Sequence, residues 1–559
     1  MDVRTLADRY WDEILETNPL LATQVGDERF DDRLPDPSPD GIERRRSVHA
    51  AALADALTLR KGTTDASDLA ICDTVEAIAG PEIAAIDLGM DRFAPVDQLW
   101  GPGTLLDQLA SIQRVETPEQ VERYLRRLQG VPQYLRACTD LILSGGPENE
   151  TAPALIVDRC IRQIDQLLVT PPENSPTLRP LSPGDHARSR AAEILRANVL
   201  PAYRSYLSAL RTYRERARST IGLLHLARGD EMYGVCISRS TSLSLDPLEI
   251  HEIGRTELQH IQLERSALAR KLGGSDPGAA IAAHNATGRN SFRSREEVLH
   301  VAEDQARRGW ERSQDFFGRL PQRNCEIRPV DPSREADVLE FYLPATADGS
   351  RPGIYYVNTA NPRERHRHSL ASTTFHETNP GHHLQIALDQ EHSERPPLLR
   401  FGGELAGLAF VEGWGLYAER LADEMNLFAD DYERLGMLEL QALRAARLVV
   451  DTGLHALGWS REQVVEVLES TGLDPSRAAL EADRYVAMPG QALAYKVGQM
   501  EIETCRREAE QKEGTAFSLS DFHDRVLGLG AVPLTTFRRE LSGNRRDREA
   551  AGSSKGGSA

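Results

Sequence analysis

Three histidines and a glutamate crowd the stretch "TTFHETNPGHHLQIALDQ", Thr373 to Gln390. His376 and Glu377 open as a metal-hydrolase signature opens, with an imidazole to bind zinc and an adjacent carboxylate to take a proton from water. In the usual H-E-x-x-H pattern the second histidine follows four residues after the first. Here that position is Pro380, and histidine returns only at His382 and His383.

Zinc needs three protein ligands converging at about 2.0–2.3 Å, with one position left open. On a regular helix His382 would be turned roughly 240° from His376, and His383 would sit about 10.5 Å further along the axis. Neither could share a metal with His376 without a break. Pro380 supplies one, because it lacks the N–H that the carbonyl of His376 would accept and drives Asn379 away from helical angles. Gly381 adds freedom at the next residue. The expectation is an interrupted or bulged helix that returns one of the two later histidines toward His376. The alternative is a helix ending at Thr378, with the histidines scattered around a turn.

Further on, "GELAGLAFVEGWGLYAERLADEM" carries Glu412 as the only charge between Glu404 and Glu419. A carboxylate in so apolar a helix is costly to bury unless paired or bound to a cation, so Glu412 is a candidate third ligand. Asp451 and His455 in "DTGLH" stand one turn apart, a spacing that lets a carboxylate orient an imidazole, and His455 is a candidate substrate contact. His251-Glu252 repeats the opening pair without a second histidine and reads as a solvated helix face. The basic run "RERHRH" reads as a solvated loop.

Helices must position these residues. Residues 1–230 show apolar positions three and four apart in segments such as "TPEQVERYLRRLQGVPQYLRAC", punctuated by proline-rich joints. They form an expected N-terminal helical lobe. Residues 231–545 form the expected zinc-binding lobe, whose helices resume after Asp246, a fitting N-cap ahead of Pro247. At about residues 325–359, "CEIRPVD", "VLEFYLPAT" and "GIYYVNT" predict a small antiparallel sheet near the motif. "GIYYVNT" is read as an edge strand able to pair with an extended peptide, which makes Tyr355 and Tyr356 candidate substrate contacts. Residues 546–559 predict a disordered tail. The whole is expected to be one integrated, mainly α unit.

The chain of 559 residues has 40% hydrophobic and 27% charged residues, an ordinary globular balance. Its net charge of -19 argues against nucleic-acid binding. The amphipathic start and the absence of a long apolar run argue against a membrane span and make a cytoplasmic location the expectation. Six scattered cysteines without C-x-x-C read as reduced, structural thiols.

"HETNPGHHLQ", "FVEGWGLYAE", "DTGLHALGWS" and "RYVAMPGQALAYKVGQ" together resemble a bacterial family catalogued as domain of unknown function 885. That family is similar to the helical gluzincin peptidases that include angiotensin-converting enzyme and thimet oligopeptidase. The resemblance implies a large two-lobed helical fold around a deep cleft, with Zn2+ at its floor. It implies ligands His376, His382 and Glu412, because glycine directly precedes the second histidine in those relatives. The wider spacing departs from the named peptidases and keeps His383 as the alternative ligand or a neighbour of the ligands. Tyr495 resembles the tyrosine that stabilises the oxyanion, although from its residues alone a tyrosine on an amphipathic helix reads more readily as helix core. Arg484 and Tyr485 are further candidate substrate contacts.

The expected activity is zinc-dependent hydrolysis of amide bonds in peptides or peptide-like small molecules, with Glu377 as general base. Two competing readings are a hydrolase of nonpeptide amides or modified amino acids, and a non-catalytic peptide-binding or scaffold protein.

Overall fold

The computed structural model describes residues 1–144, 150–332, 335 and 338–542; the tail expected at 546–559 lies outside them. The chain is mainly helical, with one small sheet among the described residues. Local chemistry sets many helix starts. Thr117 closes a capping box with Gln120 at the head of Pro118–Leu143, and Asp246 accepts from the N–H groups of Leu248 and Glu249 ahead of Pro247–Lys271.

The sheet corrects the expectation in two respects. Strands β1 (Glu326–Pro329), β2 (Phe341–Leu343) and β3 (Ile354–Val357) run in the order β1-β3-β2. β1 pairs with β3 in parallel and β2 pairs with β3 antiparallel, so the sheet is mixed. "GIYYVNT" supplies the central strand, not an edge, and its backbone is taken on both sides. Tyr355 is fully buried in the small core beneath the sheet, with Val298, Ala302 and Leu370, while Tyr356 stacks on Phe341.

Apolar cores join distant parts of the chain. One packs Leu128, Ile164, Tyr203 and Leu210 with Leu454, Leu468 and Tyr485, across residue 230. Another sets Val3–Thr17 against Leu398 and Leu399. A third, with Phe375, Leu384, Phe410, Trp414, Tyr417 and Phe522, lies under the histidine motif. Here the helix Gly403–Glu424 meets the helix Leu493–Glu513 backbone to backbone: a Cβ on Gly498 would stand 1.6 Å from the carbonyl oxygen of Ala409. Only glycine permits that approach, which brings Glu412 and Tyr495 to the same region.

Two local readings change. His251 is buried, its Nδ1 2.9 Å from the Thr452 hydroxyl and its ring edge-on to Trp459; only Glu252 remains solvated. The basic run before the motif is a loop only in part. Its end opens the helix Arg367–Glu377, where His368 is buried against Asn290 and Glu439. All six cysteines are free and buried. Among the described residues no helix is long and apolar enough to cross a membrane.

Candidate metal centre

The break at Pro380 is complete. The helix Arg367–Glu377 ends, Thr378 leaves helical angles at φ -106° and ψ -131°, the Asn379–Pro380 peptide is cis, and a second helix runs His382–Glu391. Gly381 turns the chain back over the end of the first helix; a Cβ there would lie 2.0 Å from the carbonyl oxygen of His376. The Trp414 indole N–H donates to the Pro380 carbonyl at 2.9 Å and ties the turn to the Glu412 helix. The two imidazoles end up 4.5 Å apart, almost perpendicular at 83°.

Glu412 approaches both. Its Oε2 is 3.4 Å from Nε2 of His382 and 3.7 Å from Nε2 of His376. Donors bonded at about 2.0–2.1 Å around a tetrahedral ion stand roughly 3.3–3.4 Å apart, so this spacing fits one metal between the three. Glu377 also has an oxygen close to both histidines, all within 4.8 Å of one another. Gly415, one turn beyond Glu412, makes the room: a Cβ there would fall 2.7 Å from Cε1 of His376 and 2.9 Å from Cε1 of His382.

The imidazole of His376 is oriented from behind. Its Nδ1 is 2.9 Å from Oε1 of Glu419, a fully buried carboxylate that also accepts from Gln441 and pairs with Arg444 at 3.5 Å. An Nδ1–H donated to Glu419 leaves the Nε2 lone pair facing Glu412, the tautomer a metal ligand needs. Without a metal, burial disfavours the charged ring, but the hydrogen bonds to Glu412 and Glu419 outweigh it and raise its pKa to about 9. Glu412 is held far below the usual carboxylate range: burial opposes its charge and both histidines overcome that. Among the described residues His382 has no partner like Glu419; its Nδ1 is buried and unpaired.

His383 turns away. Its Nε2 donates to the carbonyl of Arg323 at 2.9 Å and its Nδ1 accepts from the Tyr342 hydroxyl at 3.0 Å, leaving no ring nitrogen for an ion. Burial lowers its pKa to about 4, so it is neutral.

Glu377, half-buried, accepts the backbone N–H of Tyr342 from β2 at 2.9 Å. Burial raises its pKa, opposed by the neighbouring histidines and reinforced by Glu412, which suits a carboxylate that must accept a proton. The ring of Tyr495 lies 6.4 Å from that of His376, tilted by 24°. Burial, then the charge of Glu412, raises its pKa, so the hydroxyl remains a donor.

The sequence profile of a family described as "Bacterial protein of unknown function (DUF885)" matches residues 19–541. The chain belongs to this family. A solved structure from Colwellia psychrerythraea, provisionally described as a lipoprotein, is similar to the DUF885 chain over 97% of its length and 98% of the other, with 26% identity and a TM-score of 0.88. Another, from Shewanella oneidensis, provisionally described as a lipoprotein of unknown function, covers 97% and 100% with 16% identity and a TM-score of 0.76, a likeness of fold alone. No curated protein matches the sequence.

In the DUF885 chain the remaining candidates divide. Asp451 and His455 do not contact each other as their spacing allowed. Asp451 accepts from the Tyr233 hydroxyl and the Gly490 N–H, while Nε2 of His455 donates to the Tyr485 carbonyl and its Nδ1 accepts from Leu223 N–H. Both ring nitrogens of His455 are thus engaged by backbone. The pair clamps the segment that carries Arg484, Tyr485 and Tyr495. Tyr485 is buried and bonded to Glu481 and Arg447; Arg484 stays partly exposed beside it. Sequence reasoning missed Glu419, Gly415 and Arg447. A signal existed for Glu419: it stands seven residues, two turns, after Glu412 and therefore on the same helix face.

Proposed function

We propose that this protein is a zinc-dependent hydrolase of amide bonds in peptides or peptide-like small molecules. The observation that carries the reading is the convergence of two imidazole Nε2 atoms and one carboxylate oxygen, with Glu419 fixing the tautomer of His376 and Glu377 beside them. Two nitrogens and one oxygen form a donor set that suits zinc and leaves a position open for substrate or water. Zinc bound there would supply Lewis acidity toward a carbonyl oxygen and toward water.

The protein's own groups do the rest. Glu377, fixed by the N–H of Tyr342, takes the proton of the attacking water and delivers it to the leaving amine. Tyr495 donates its hydroxyl hydrogen toward the substrate's carbonyl oxygen as negative charge develops. A two-lobed arrangement with a cleft over this centre, as in the gluzincin peptidases that the sequence resembles, belongs to the same proposal.

Glu377→Gln tests it. The variant is expected to keep its zinc and lose about 10²- to 10⁴-fold in turnover of short peptide amides. Full activity in a zinc-loaded Glu377→Gln protein would remove the general-base role.

A further inference from the structure

We infer that Arg447 and Arg484 form a carboxylate-recognition subsite beside the metal centre, so that the substrate carries a free carboxylate close to its scissile amide. The inference rests on the hydrolase reading and names the substrate class for it.

The two arginines come from different helices, Asp431–His455 and Pro475–Ala487. The guanidinium carbon of Arg447 lies 4.5 Å from the centre of the Tyr495 ring, which itself lies 6.4 Å from the His376 ring. One aromatic ring therefore separates the guanidinium from a candidate ligand. At about 3.5 Å per extended residue, that separation spans at most about three residues of substrate.

The charges do not balance. Arg447 donates through Nε to the Tyr485 hydroxyl at 3.0 Å and pairs through Nη2 with Glu481 at 3.1 Å. Its Nη1 has no acceptor among the described residues, although the side chain is only 9% exposed. Arg484 meets the same Glu481 at 3.2 and 3.1 Å and donates to the neutral Gln491 at 2.8 Å. Within ion-pair distance one carboxylate thus serves two guanidiniums; Asp451, the other acid that feels Arg484, is engaged by the Tyr233 hydroxyl and the Gly490 N–H instead. Arg444, one turn before Arg447, adds a further positive charge to this side, and its own partner, Glu419, lies with His376 at 2.9 Å and not with the two arginines.

A buried guanidinium N–H without an acceptor is unfavourable, and a carboxylate is the ligand that fits its planar donors best. Access remains from one side, where the side chains of Arg484 and Glu481 are 21% and 20% exposed. The clamp made by Asp451 and His455 holds this segment against the centre, giving "DTGLH" a positioning role instead of a contact with substrate.

The source of the carboxylate is either a chain terminus or an acidic side chain, and the test separates them. Zinc-loaded full-length protein is assayed on N-acetyl-alanyl-alanine, its C-terminal amide, and N-acetyl-glutamyl-alanine amide. One carboxylate-bearing compound is expected to exceed the neutral amide by about 10- to 100-fold in kcat/KM. Arg484→Gln should erase most of that preference by raising KM for the carboxylate-bearing compound more than for the neutral amide; Arg447→Lys repeats the test from the other helix. Equal turnover of acid and neutral compounds, or an equal loss on all three in Arg484→Gln, overturns the inference.

If none of the compounds is cleaved, calorimetric binding to zinc-loaded Glu377→Gln decides. Binding of an acid but not of the neutral amide, abolished by Arg484→Gln, upholds the subsite while the hydrolase reading fails. Equal binding of all three, or none, overturns the subsite itself.

Discussion

Glu419→Gln isolates a contact that lies behind the proposed metal centre, on the far side of His376 from Glu412. The native carboxylate is fully buried, accepts from Nδ1 of His376 at 2.9 Å and from Gln441 at 3.2 Å, and stands 3.5 Å from Arg444. Glutamine keeps the volume but removes the charge. It can turn its oxygen to His376 only by pointing its amide at the amide of Gln441, or satisfy Gln441 by pointing that amide at His376. Hydrogen bonds to a charged group contribute about 1.5–3 kcal/mol, which corresponds to roughly 10- to 100-fold in zinc affinity, the range usual for the partner of a metal-bound histidine. Competition against a chromophoric chelator at pH 7.5 measures it, with the melting temperature of the metal-free variant reporting any loss of fold. A folded Glu419→Gln protein that binds zinc as tightly as wild type would refute the orienting role.

Further expectations follow from particular contacts. Gly415→Ala puts a Cβ 2.7 Å from His376 and 2.9 Å from His382, so zinc binding should weaken by roughly 5- to 150-fold, as about 1–3 kcal/mol of overpacking implies, with the circular dichroism spectrum unchanged. Unchanged affinity would mean that the rings have slack. Gly498→Ala, aimed at the carbonyl of Ala409 from 1.6 Å, should lower the melting temperature of metal-free and zinc-loaded protein alike. Burial lowers the pKa of His455 and of His523 to about 4. The fold then favours their neutral form, and the stability they contribute is complete above the unfolded value near 6.5 and is lost as pH falls toward 4. Asp389 and Asp451, whose pKa burial raises to about 7, act in the opposite sense, so the test is a difference: in chelator-treated protein the melting temperature of His523→Gln relative to wild type should rise as pH falls from 7 to 5, and a difference independent of pH would contradict the assignment.

Much of the centre was legible because residue type and spacing sufficed. Pro380 and Gly381 forbid a continuous helix whatever surrounds them, and a lone carboxylate in an apolar helix calls for a partner, so the approach of Glu412 and of one of the two later histidines to His376 could be anticipated, while the choice of His382 over His383 came from the family resemblance. The helical class followed from periodicity in the same way. What failed depended on contacts between distant segments. The strand at Tyr355 reads alike at an edge or a centre, because its neighbours are chosen by β1 and β2 and not by its own alternation. Asp451 and His455 have the spacing to meet, yet Gly490 and Tyr485 offer backbone partners in a buried setting and win. His251 looked solvated because Thr452 and Trp459, which enclose it, lie two hundred residues further on. Glu419 needed only the helical period counted from Glu412.

Metal content tests the central claim most directly. Protein reloaded with zinc and dialysed exhaustively should hold one equivalent per chain by mass spectrometry, and Glu412→Gln, folded to the same helical content, should hold far less. Folded wild-type protein that retains no zinc or other transition metal, or a Glu412→Gln variant that retains a full equivalent, would contradict the account.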